Sequence, residues 1–289
     1  MTTTDPGPAE PERTIAFQGV PGAYSHMACR QAFPELLALP CHSFEDAFAA
    51  VRDGEARYAM IAVDNTVAGR VADVHHLLPR GGLHIVGEQF MRVNHQLLGV
   101  PGAKLAGVQL VESHVHALGQ CRDFLRRHGL RIRVVADTAG AAADIAEAGD
   151  PTRAAIASRL AGEIYGLEVL SSDIEDADHN TTRFLVLARD PCHQDPDGRQ
   201  VLTTFTFRIR NRPAALYKAL GGFATNGVNM VKLESYVDGT FTQAEFLADI
   251  MGHPQHDNVR LAFEELRFFS HHVEILGVYP ADKFRERMA

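Results

Sequence analysis

Polar side chains that could hold a small anionic molecule follow several apolar runs in the first half of the chain. The segments contain Gly22, Ala23, Tyr24 and Ser25, then Asn65 and Thr66, then Ser113 and His114, and then Thr138. If the apolar runs are strands of an open α/β sheet, these segments lie at the carboxyl edge, where ligands bind. Hydroxyl groups and free backbone N–H groups at helix starts suit carboxylates. Any one of these hydroxyl groups is more readily explained as a helix N-cap without a ligand, so the prediction rests on their common edge.

A second concentration of polar residues runs from His179 to Phe184 and reads His-Asn-Thr-Thr-Arg-Phe. It passes directly into an apolar run over 184–188, which we predict to be a strand. A surface loop with an ordinary arginine would have the same composition. The segment is therefore a candidate active-site segment, with a plain loop as the open alternative.

Metal and nucleotide chemistry are disfavoured by the motifs. The histidine pairs, such as His75-His76 and His114-Val115-His116, have no carboxylate or cysteine at a recognisable ligand spacing. The chain also has no Walker loop, no G-x-G-x-x-G fingerprint and no G-x-S-x-G elbow. We expect no bound metal and no nucleotide or nicotinamide.

The composition is that of a globular protein acting on small molecules. The chain has 36 acidic and 28 basic residues and a net charge of -8, which argues against a nucleic-acid partner. No stretch approaches the roughly 20 apolar residues of a membrane span. The start lacks the features of a secretory signal, so we expect a cytoplasmic protein that contacts no membrane.

The order of the predicted elements divides the chain into parts. Residues 1–13 are expected to be a disordered arm, and strands then alternate with helices over 14–189, which predicts an α/β fold with mostly parallel sheets. Strands are predicted at 14–17, 58–63, 83–87, 95–100, 107–112, 132–136, 154–157 and 184–188, and a helix at 44–51. Residues 190–200 have linker composition. Residues 201–280 follow the order β-α-β-β-α-β of a ferredoxin-like domain, with a turn at Asp238-Gly239, and 281–289 form a tail.

The motifs together resemble one enzyme family. Four segments are similar, in order, to the successive motifs of prephenate dehydratases. They are Phe17 to Ser25, then Val63-Asp64-Asn65-Thr66 with Gly69, then Ser113-His114 with Cys121, and last Tyr165-Gly166-Leu167 followed by Asn180 to Phe184. The residues from Arg212-Pro213 onward resemble the ACT regulatory domain attached to them. The resemblance extends from about Thr14 to Tyr279. The chain looks like the monofunctional form of these enzymes.

The resemblance implies a fold and a reaction. The fold is two α/β lobes like a type II periplasmic binding protein, over about 14–90 plus 180–189 and about 91–179. The reaction converts prephenate to phenylpyruvate, with loss of carbon dioxide and water, on the route to phenylalanine. No metal or organic cofactor is implied.

The resemblance also implies roles for individual residues. Thr182 would donate a proton or a strong hydrogen bond to the departing hydroxyl, and Arg183 would bind a carboxylate or polarise the site. Gly69, Asn180, Thr181 and Phe184 join the strand-end residues above as substrate-binding residues. The effector L-phenylalanine would bind between paired ACT domains, giving a homodimer or homotetramer, at a site that includes Asn211, Pro213, Ala214, Ala215, Leu216, Asn229, Glu234 and Ser235.

Two departures from the family pattern bear on regulation. Ala214 stands where the family has glycine, and Tyr236-Val237 stands where it has Arg-Pro. Both motifs belong to the phenylalanine site, so its affinity or its choice of effector is expected to be altered. Three alternatives remain open: an arogenate dehydratase, a non-catalytic solute-binding protein and an amino-acid sensor.

Overall fold

The structure is a computed structural model that describes residues 10–192, 200–210, 212–237 and 244–286. The described residues divide into two compact units. The first contains the residues up to Val74 together with Gln89–Phe184, and the second contains His75–Glu88 and the residues from Leu185 onward. The segment His75–Glu88, which the sequence pattern assigned to the first domain, therefore clusters with the second unit.

The first unit opens with a small sheet and its helices. In chain order, and including the helix that runs into the second unit, the elements are β1 (Thr14–Gln18), α1 (Tyr24–Ala32), β2 (Leu37–Cys41), α2 (Phe44–Arg52), β3 (Tyr58–Asn65), β4 (Gly69–Arg70) and α3 (Ala72–Leu77). Strand β1 lies between β2 and β3 and is parallel to both, and β4 is antiparallel to β3. Ser43 and Asp46 cap α2 reciprocally, and its buried Ala47, Phe48 and Val51 confirm the predicted helical periodicity.

A second sheet follows in the same unit. The elements that continue the chain are β5 (His84–Arg92), β6 (Gln96–Gly99), β7 (Leu110–Ser113), α4 (Val115–Gln120), α5 (Arg122–Arg127), β8 (Arg131–Val134), α6 (Thr138–Ala148), β9 (Arg153–Ala157), α7 (Arg159–Tyr165), β10 (Glu168–Ser171) and β11 (Thr181–Ala188). The sheet order is β10-β6-β9-β7-β8, and β7 is parallel to β8 and β9. Strand β11 returns beside β3. The predicted α/β class is confirmed.

Several strand predictions were wrong or incomplete, each for a local reason. Strands β2, β4 and β10 were not predicted. Strand β4 has only two residues, β2 contains Pro40, which is unusual within a strand, and β2 and β10 are edge strands that bury few side chains. Strand β11 was predicted to begin at Phe184 but begins at Thr181, and all its residues are buried. Its polar start is compatible with a buried strand because Asn65 and Thr66 supply hydrogen bonds there.

The second unit has the predicted order of elements. These are β12 (Val201–Ile209), α8 (Ala215–Thr225), β13 (Met230–Val237), β14 (Ala244–Met251), α9 (Asp257–Phe269), β15 (Ser270–Pro280) and α10 (Lys283–Glu286). The strand order is β13-β14-β12-β15, and neighbouring strands are antiparallel. The predicted turn at Asp238-Gly239, Asn211 and residues 193–199 of the predicted linker lie outside the described residues.

Strand β12 is buried on both faces. Phe205 and Phe207 pack into an aromatic core, where the Phe205 and Phe263 rings meet edge to face with centroids 4.8 Å apart. On the opposite face the Thr204 hydroxyl donates to Asp249 at 2.6 Å. On the same face His75, Pro79 and Arg80 line a small pocket together with Thr206.

Two close contacts hold this segment in the second unit. Gly277 of β15 pairs with Ile85 of β5, and a Cβ on Gly277 would lie 2.2 Å from the Ile85 carbonyl oxygen, so only glycine fits. The buried Glu88 carboxylate accepts from Arg285 Nε at 2.6 Å and from the Asp282 backbone N–H at 3.1 Å.

Among the residues that the structure describes, no helix is long and apolar enough to cross a membrane.

The second sheet of the first unit is tied together by a buried carboxylate. Glu112 of β7 is fully buried and accepts from Arg153 Nε at 2.7 Å and from Arg133 Nε at 2.8 Å. Burial alone would raise the pKa of Glu112, but the hydrogen bonds and charges of Arg153 and Arg133 outweigh it and lower the pKa.

Replacing this carboxylate gives a pH-dependent loss of stability. Glu112→Gln is expected to lower the free energy of unfolding at pH 7 by about 1–3 kcal/mol, less than for a fully buried pair because the arginines are partly exposed. The folded pKa lies below the unfolded value of about 4.3, so the contribution is complete above that pH and is lost as the pH falls through the folded pKa. Urea unfolding of both proteins over this range measures it. A difference between them that stays constant with pH would contradict the assignment.

Candidate active site

The side chain of Thr182 lies at the end of β3, beside Asn65. Asn65 Nδ2 donates to Thr182 Oγ1 at 2.9 Å and to Asn180 Oδ1 at 2.8 Å. Thr182 is 9% exposed and Asn180 is 1% exposed. The structure therefore brings together three of the predicted site residues, and it does so in a place almost closed to solvent.

Arg183 does not share this cluster. Its Nη1 lies 3.7 Å from Asp64 Oδ2, and its side chain is 7% exposed. Successive side chains of a strand point to opposite faces, so Thr182 faces Asn65 and Arg183 faces Asp64. Thr182 and Arg183 were predicted to act together, and the structure places them on different faces of β11.

Thr66 fixes the segment that leads into β11. Its hydroxyl donates to the His179 carbonyl at 2.8 Å and accepts from the Thr181 N–H at 2.9 Å. The Thr66 N–H also donates to the Thr181 carbonyl at 3.0 Å. Gly69 lies three residues after Thr66, at φ +84°, in the strand pair that closes this loop. The hydroxyl of Thr66 is thus committed to positioning the start of β11.

The opening loop of the first unit is held by residues of α7. The Ser158 hydroxyl donates to the Gly22 carbonyl at 2.5 Å, and the Tyr165 hydroxyl donates to the Pro21 carbonyl at 2.9 Å. Gly22 has φ +93°, and a Cβ there would lie 2.8 Å from Ala161 Cα. Ala23 is the N-cap of α1, with no side-chain cap, and Tyr24 and Ser25 are its first residues. The glycine is required both by its backbone angle and by this close approach.

Two of the predicted binding residues, Ser113 and His114, have structural partners, and Thr138 is the first residue of a helix. The Ser113 hydroxyl is buried and donates to the Ile156 carbonyl at 2.6 Å. His114 caps α4 and accepts from the His116 N–H at 3.3 Å, and burial, with a smaller contribution from His116, lowers the pKa of His114. Thr138 begins α6, whose cap is Asp137, not a hydroxyl.

The sequence interpretation missed His95, Gln120, Asn94 and Glu175. Tyr24 Oη lies 2.7 Å from His95 Nδ1, and His95 Nε2 lies 2.8 Å from Gln120 Oε1. Gln120 Oε1 also accepts from Asn180 Nδ2 at 2.8 Å, which connects this group to Asn65 and Thr182. Burial lowers the pKa of His95, although Gln120 and Glu175 oppose the effect. Two features of the sequence could have indicated these residues: His95 is a histidine at the start of an apolar strand, and Gln120 is a glutamine at the end of the helix that follows Ser113-His114.

The predicted effector residues fall into two groups in the second unit. One group, at the start of α8, contains Pro213, Ala214, Ala215 and Leu216, and Ala214 has φ +60°, a left-handed angle. The other group contains Asn229 and, on β13, Glu234 and Ser235. Asn211 lies outside the described residues.

Glu234 belongs to a charged cluster inside the second unit. It accepts a short hydrogen bond from the Tyr236 hydroxyl, and its carboxylate lies 3.4 Å from Lys232 Nζ and 3.4 Å from His75 Nε2. The Tyr236 ring stacks on His75 with centroids 5.1 Å apart. Burial would raise the pKa of Glu234, but the Tyr236 hydroxyl, Lys232 and His75 outweigh it and lower the pKa.

Comparison with known proteins gives the family. Residues 15–192 match the prephenate dehydratase family model. A bifunctional N-acyl-homoserine lactone acylase/prephenate dehydratase of Komagataeibacter europaeus is 52% identical over 277 residues, which cover 96% of this chain and 99% of that protein. A chloroplastic arogenate dehydratase/prephenate dehydratase of Arabidopsis thaliana is 38% identical, over 94% of this chain and 73% of that protein.

A solved structure agrees with these relatives. The crystal structure of a prephenate dehydratase from Arthrobacter aurescens in complex with L-Phe is 29% identical, with a TM-score of 0.85, over 92% of this chain and 90% of that one. The chain belongs to the prephenate dehydratase family, and it is a dehydratase. The predicted family and enzyme class are confirmed.

Proposed function

We propose that the chain converts prephenate to phenylpyruvate and that Thr182 is the catalytic donor. The ring carboxylate leaves as carbon dioxide, its electron pair makes the ring aromatic, and the ring hydroxyl departs as water after receiving a proton. Aromatisation supplies a large driving force, so the enzyme mainly has to assist the departing hydroxyl. A positioned hydroxyl group can do so where water is excluded.

One observation carries this role for Thr182. Asn65 Oδ1 accepts from the Val67 N–H at 2.9 Å and from the Ala68 N–H at 2.7 Å, which fixes the orientation of the amide. The Nδ2 group must then face Thr182, whose oxygen acts as the acceptor. The hydroxyl proton of Thr182 therefore points away from Asn65 and is available to a bound substrate.

The remaining predicted residues have proposed roles in binding. Prephenate carries two carboxylates, and the backbone N–H groups of Tyr24 and Ser25, in the first turn of α1, are proposed to donate to one of them. Gly22 and Ala23 are proposed to shape the loop beside it, since their own N–H groups donate to His26 Nδ1 and to the Val20 carbonyl. The proposed binding site also includes nine residues from other segments: Asn65, Thr66, Gly69, Ser113, His114, Thr138, Asn180, Thr181 and Phe184. Arg183 is proposed to act through Asp64 on the register of β3 and β11 and not by contact with the substrate.

Purified protein given prephenate tests the reaction, with arogenate in a parallel assay. Phenylpyruvate formation from prephenate supports the proposal. Phenylalanine formed only from arogenate would move the chain to the substrate named for its plant relatives. Folded protein that turns over neither compound would contradict a dehydratase role for this site.

Variants at Thr182 test its role in the same assay. Thr182→Ala is expected to lower kcat by about 10²- to 10⁴-fold with a much smaller change in KM, because only the transition state is stabilised by the donor. Thr182→Ser keeps the hydroxyl group and is the matched control, expected to retain far more activity. Near-normal turnover by Thr182→Ala would refute the assignment.

A second candidate activity is amide hydrolysis of N-acyl-homoserine lactones. It is favoured by the relative of Komagataeibacter europaeus, which is 52% identical over 99% of its own length and carries both activities in its name. Water would cleave the amide to a fatty acid and homoserine lactone. Release of homoserine lactone by wild-type protein, measured by mass spectrometry, is the expected result. If Thr182→Ala releases as much homoserine lactone as the wild-type protein, hydrolysis does not use Thr182. If neither protein releases homoserine lactone, the chain does not have this second activity.

The second unit is proposed to be an ACT regulatory domain that binds L-phenylalanine between paired copies. The element order, the residues at the start of α8 and those on β13 support this, as does the relative crystallised with L-Phe. Strand β13 is an edge strand with partly exposed Val231 and Leu233, which suits pairing with a second copy in a homodimer or homotetramer. Ala214, Glu234 and Ser235 are among the proposed effector-binding residues.

Restoring glycine at position 214 tests this regulation. The left-handed angle of Ala214 costs about 1–2 kcal/mol for a residue with a Cβ, partly offset because glycine gains entropy in the unfolded chain. Ala214→Gly is therefore expected to raise the free energy of unfolding by up to about 1 kcal/mol and to tighten L-phenylalanine binding several-fold in calorimetry. Ala224→Gly, at an exposed position of α8 outside the proposed effector site, is the control and should destabilise without tightening binding. Absence of binding by wild type and Ala214→Gly would contradict an L-phenylalanine site.

A further inference from the structure

A row of hydrogen-bonded side chains joins Thr182 to a histidine that does not contact it. In order, the row contains Thr182, Asn65, Asn180, Gln120, His95 and Tyr24, and successive partners lie 2.7–2.9 Å apart. Asn180 and His95 are 1% and 2% exposed, so water does not compete effectively for these bonds. The position of Thr182 is thus connected to a buried imidazole at the far end of the row.

The hydrogen positions along the row are determined by its geometry. Asn180 Oδ1 accepts from Asn65, so Asn180 Nδ2 must donate to Gln120 Oε1. An oxygen cannot donate, so His95 Nε2 must carry a proton and donate to Gln120 Oε1 as well. The amide orientation of Gln120 therefore depends on two donors, and His95 is one of them.

His95 itself is held from its backbone and from its second nitrogen. The Glu175 carboxylate accepts from the His95 N–H at 2.8 Å and from Asn94 Nδ2 at 2.9 Å. Tyr24 Oη lies 2.7 Å from His95 Nδ1 and 3.0 Å from the Asn94 carbonyl oxygen. The Tyr24 hydroxyl donates to the Asn94 carbonyl oxygen and also faces His95 Nδ1. A neutral His95 that keeps its proton on Nε2, the tautomer that Gln120 requires, leaves Nδ1 as an acceptor that shares the Tyr24 proton with this carbonyl oxygen.

We propose that His95 is a positioning residue for the dehydration, acting on Thr182 through Gln120, Asn180 and Asn65. Without the donor at His95 Nε2, the Gln120 amide can rotate and present its NH₂ group to Asn180. Asn180 must then rotate as well, and its NH₂ group would face the NH₂ group of Asn65. Two donors repel each other, which shifts Asn65 and misaligns Thr182. The inference rests on the proposed role of Thr182 as donor.

Two variants of His95 separate its two nitrogen contacts. In His95→Gln the side-chain nitrogen can occupy the position of Nε2 and donate to Gln120. In His95→Asn the shorter amide reaches only the position of Nδ1, beside Tyr24. His95→Asn is expected to lower kcat for prephenate about 10- to 100-fold with KM changed less than about three-fold, and His95→Gln to recover most of that loss.

A double-mutant cycle with Thr182→Ala shows whether His95 acts through Thr182. The kcat loss caused by His95→Asn should shrink several-fold in the Thr182→Ala background, because Thr182 is then no longer there to be misaligned. Full additivity, or equal losses in His95→Asn and His95→Gln, would overturn the inference. Failure of the proposed function is seen separately, as near-normal turnover by the single variant Thr182→Ala.

A second pair of variants keeps the test decisive if His95→Asn does not fold. Gln120→Glu retains an acceptor for both His95 Nε2 and Asn180 Nδ2, whereas Gln120→Leu removes it. Thermal unfolding is measured for each protein. Gln120→Leu with wild-type kcat would overturn the inference, and a low kcat in Gln120→Leu that Gln120→Glu largely restores would support it.

Discussion

The amide group of Asn65 is the constraint on which the active site depends. Its oxygen is held by the Val67 and Ala68 N–H groups, so its nitrogen has only one direction left, toward Asn180 and Thr182. An amide that is held at its oxygen cannot exchange oxygen and nitrogen without losing these two hydrogen bonds and leaving the buried oxygens of Asn180 and Thr182 without their donor. The loop after β3 thereby sets the direction of the Thr182 hydroxyl, and β11 supplies only its position.

Several residues that lie far apart in the chain position this site through contacts with the backbone or with other side chains, without contacting the Thr182 side chain. The Ser113 hydroxyl donates to the Ile156 carbonyl, and the Thr66 hydroxyl donates to the His179 carbonyl. The Arg183 side chain lies beside Asp64. Gly22 allows the opening loop to approach α7 closely enough for Ser158 to hold it. These contacts hold the candidate site together, and the proposed role of Thr182 as a directed donor requires such positioning.

The second unit shows the same use of buried polar contacts. Residues of His75–Glu88 line a pocket with Thr206 of β12, and the contacts of Gly277 with Ile85 and of Glu88 with Arg285 hold the segment in this unit. Tyr236, which stands where the family has arginine, stacks on His75 and bonds to Glu234. The side chain that the sequence analysis identified as a departure from the family pattern is therefore integrated into the fold of this unit.

The sequence by itself determined the α/β class, the family, the order of elements in the second unit and the helix α2, because periodicity and local capping are short-range properties. It also selected Asn65, Asn180 and Thr182, through their motifs. Only the tertiary structure decided that His95 and Gln120 join them and that Thr182 and Arg183 face apart. Asn65 and Asn180 are 115 positions apart, and Gln120 and Asn180 are 60 apart. Hydrogen-bond partners at such separations leave no periodic trace in a sequence, so what a polar side chain does is fixed only when the fold chooses its neighbour.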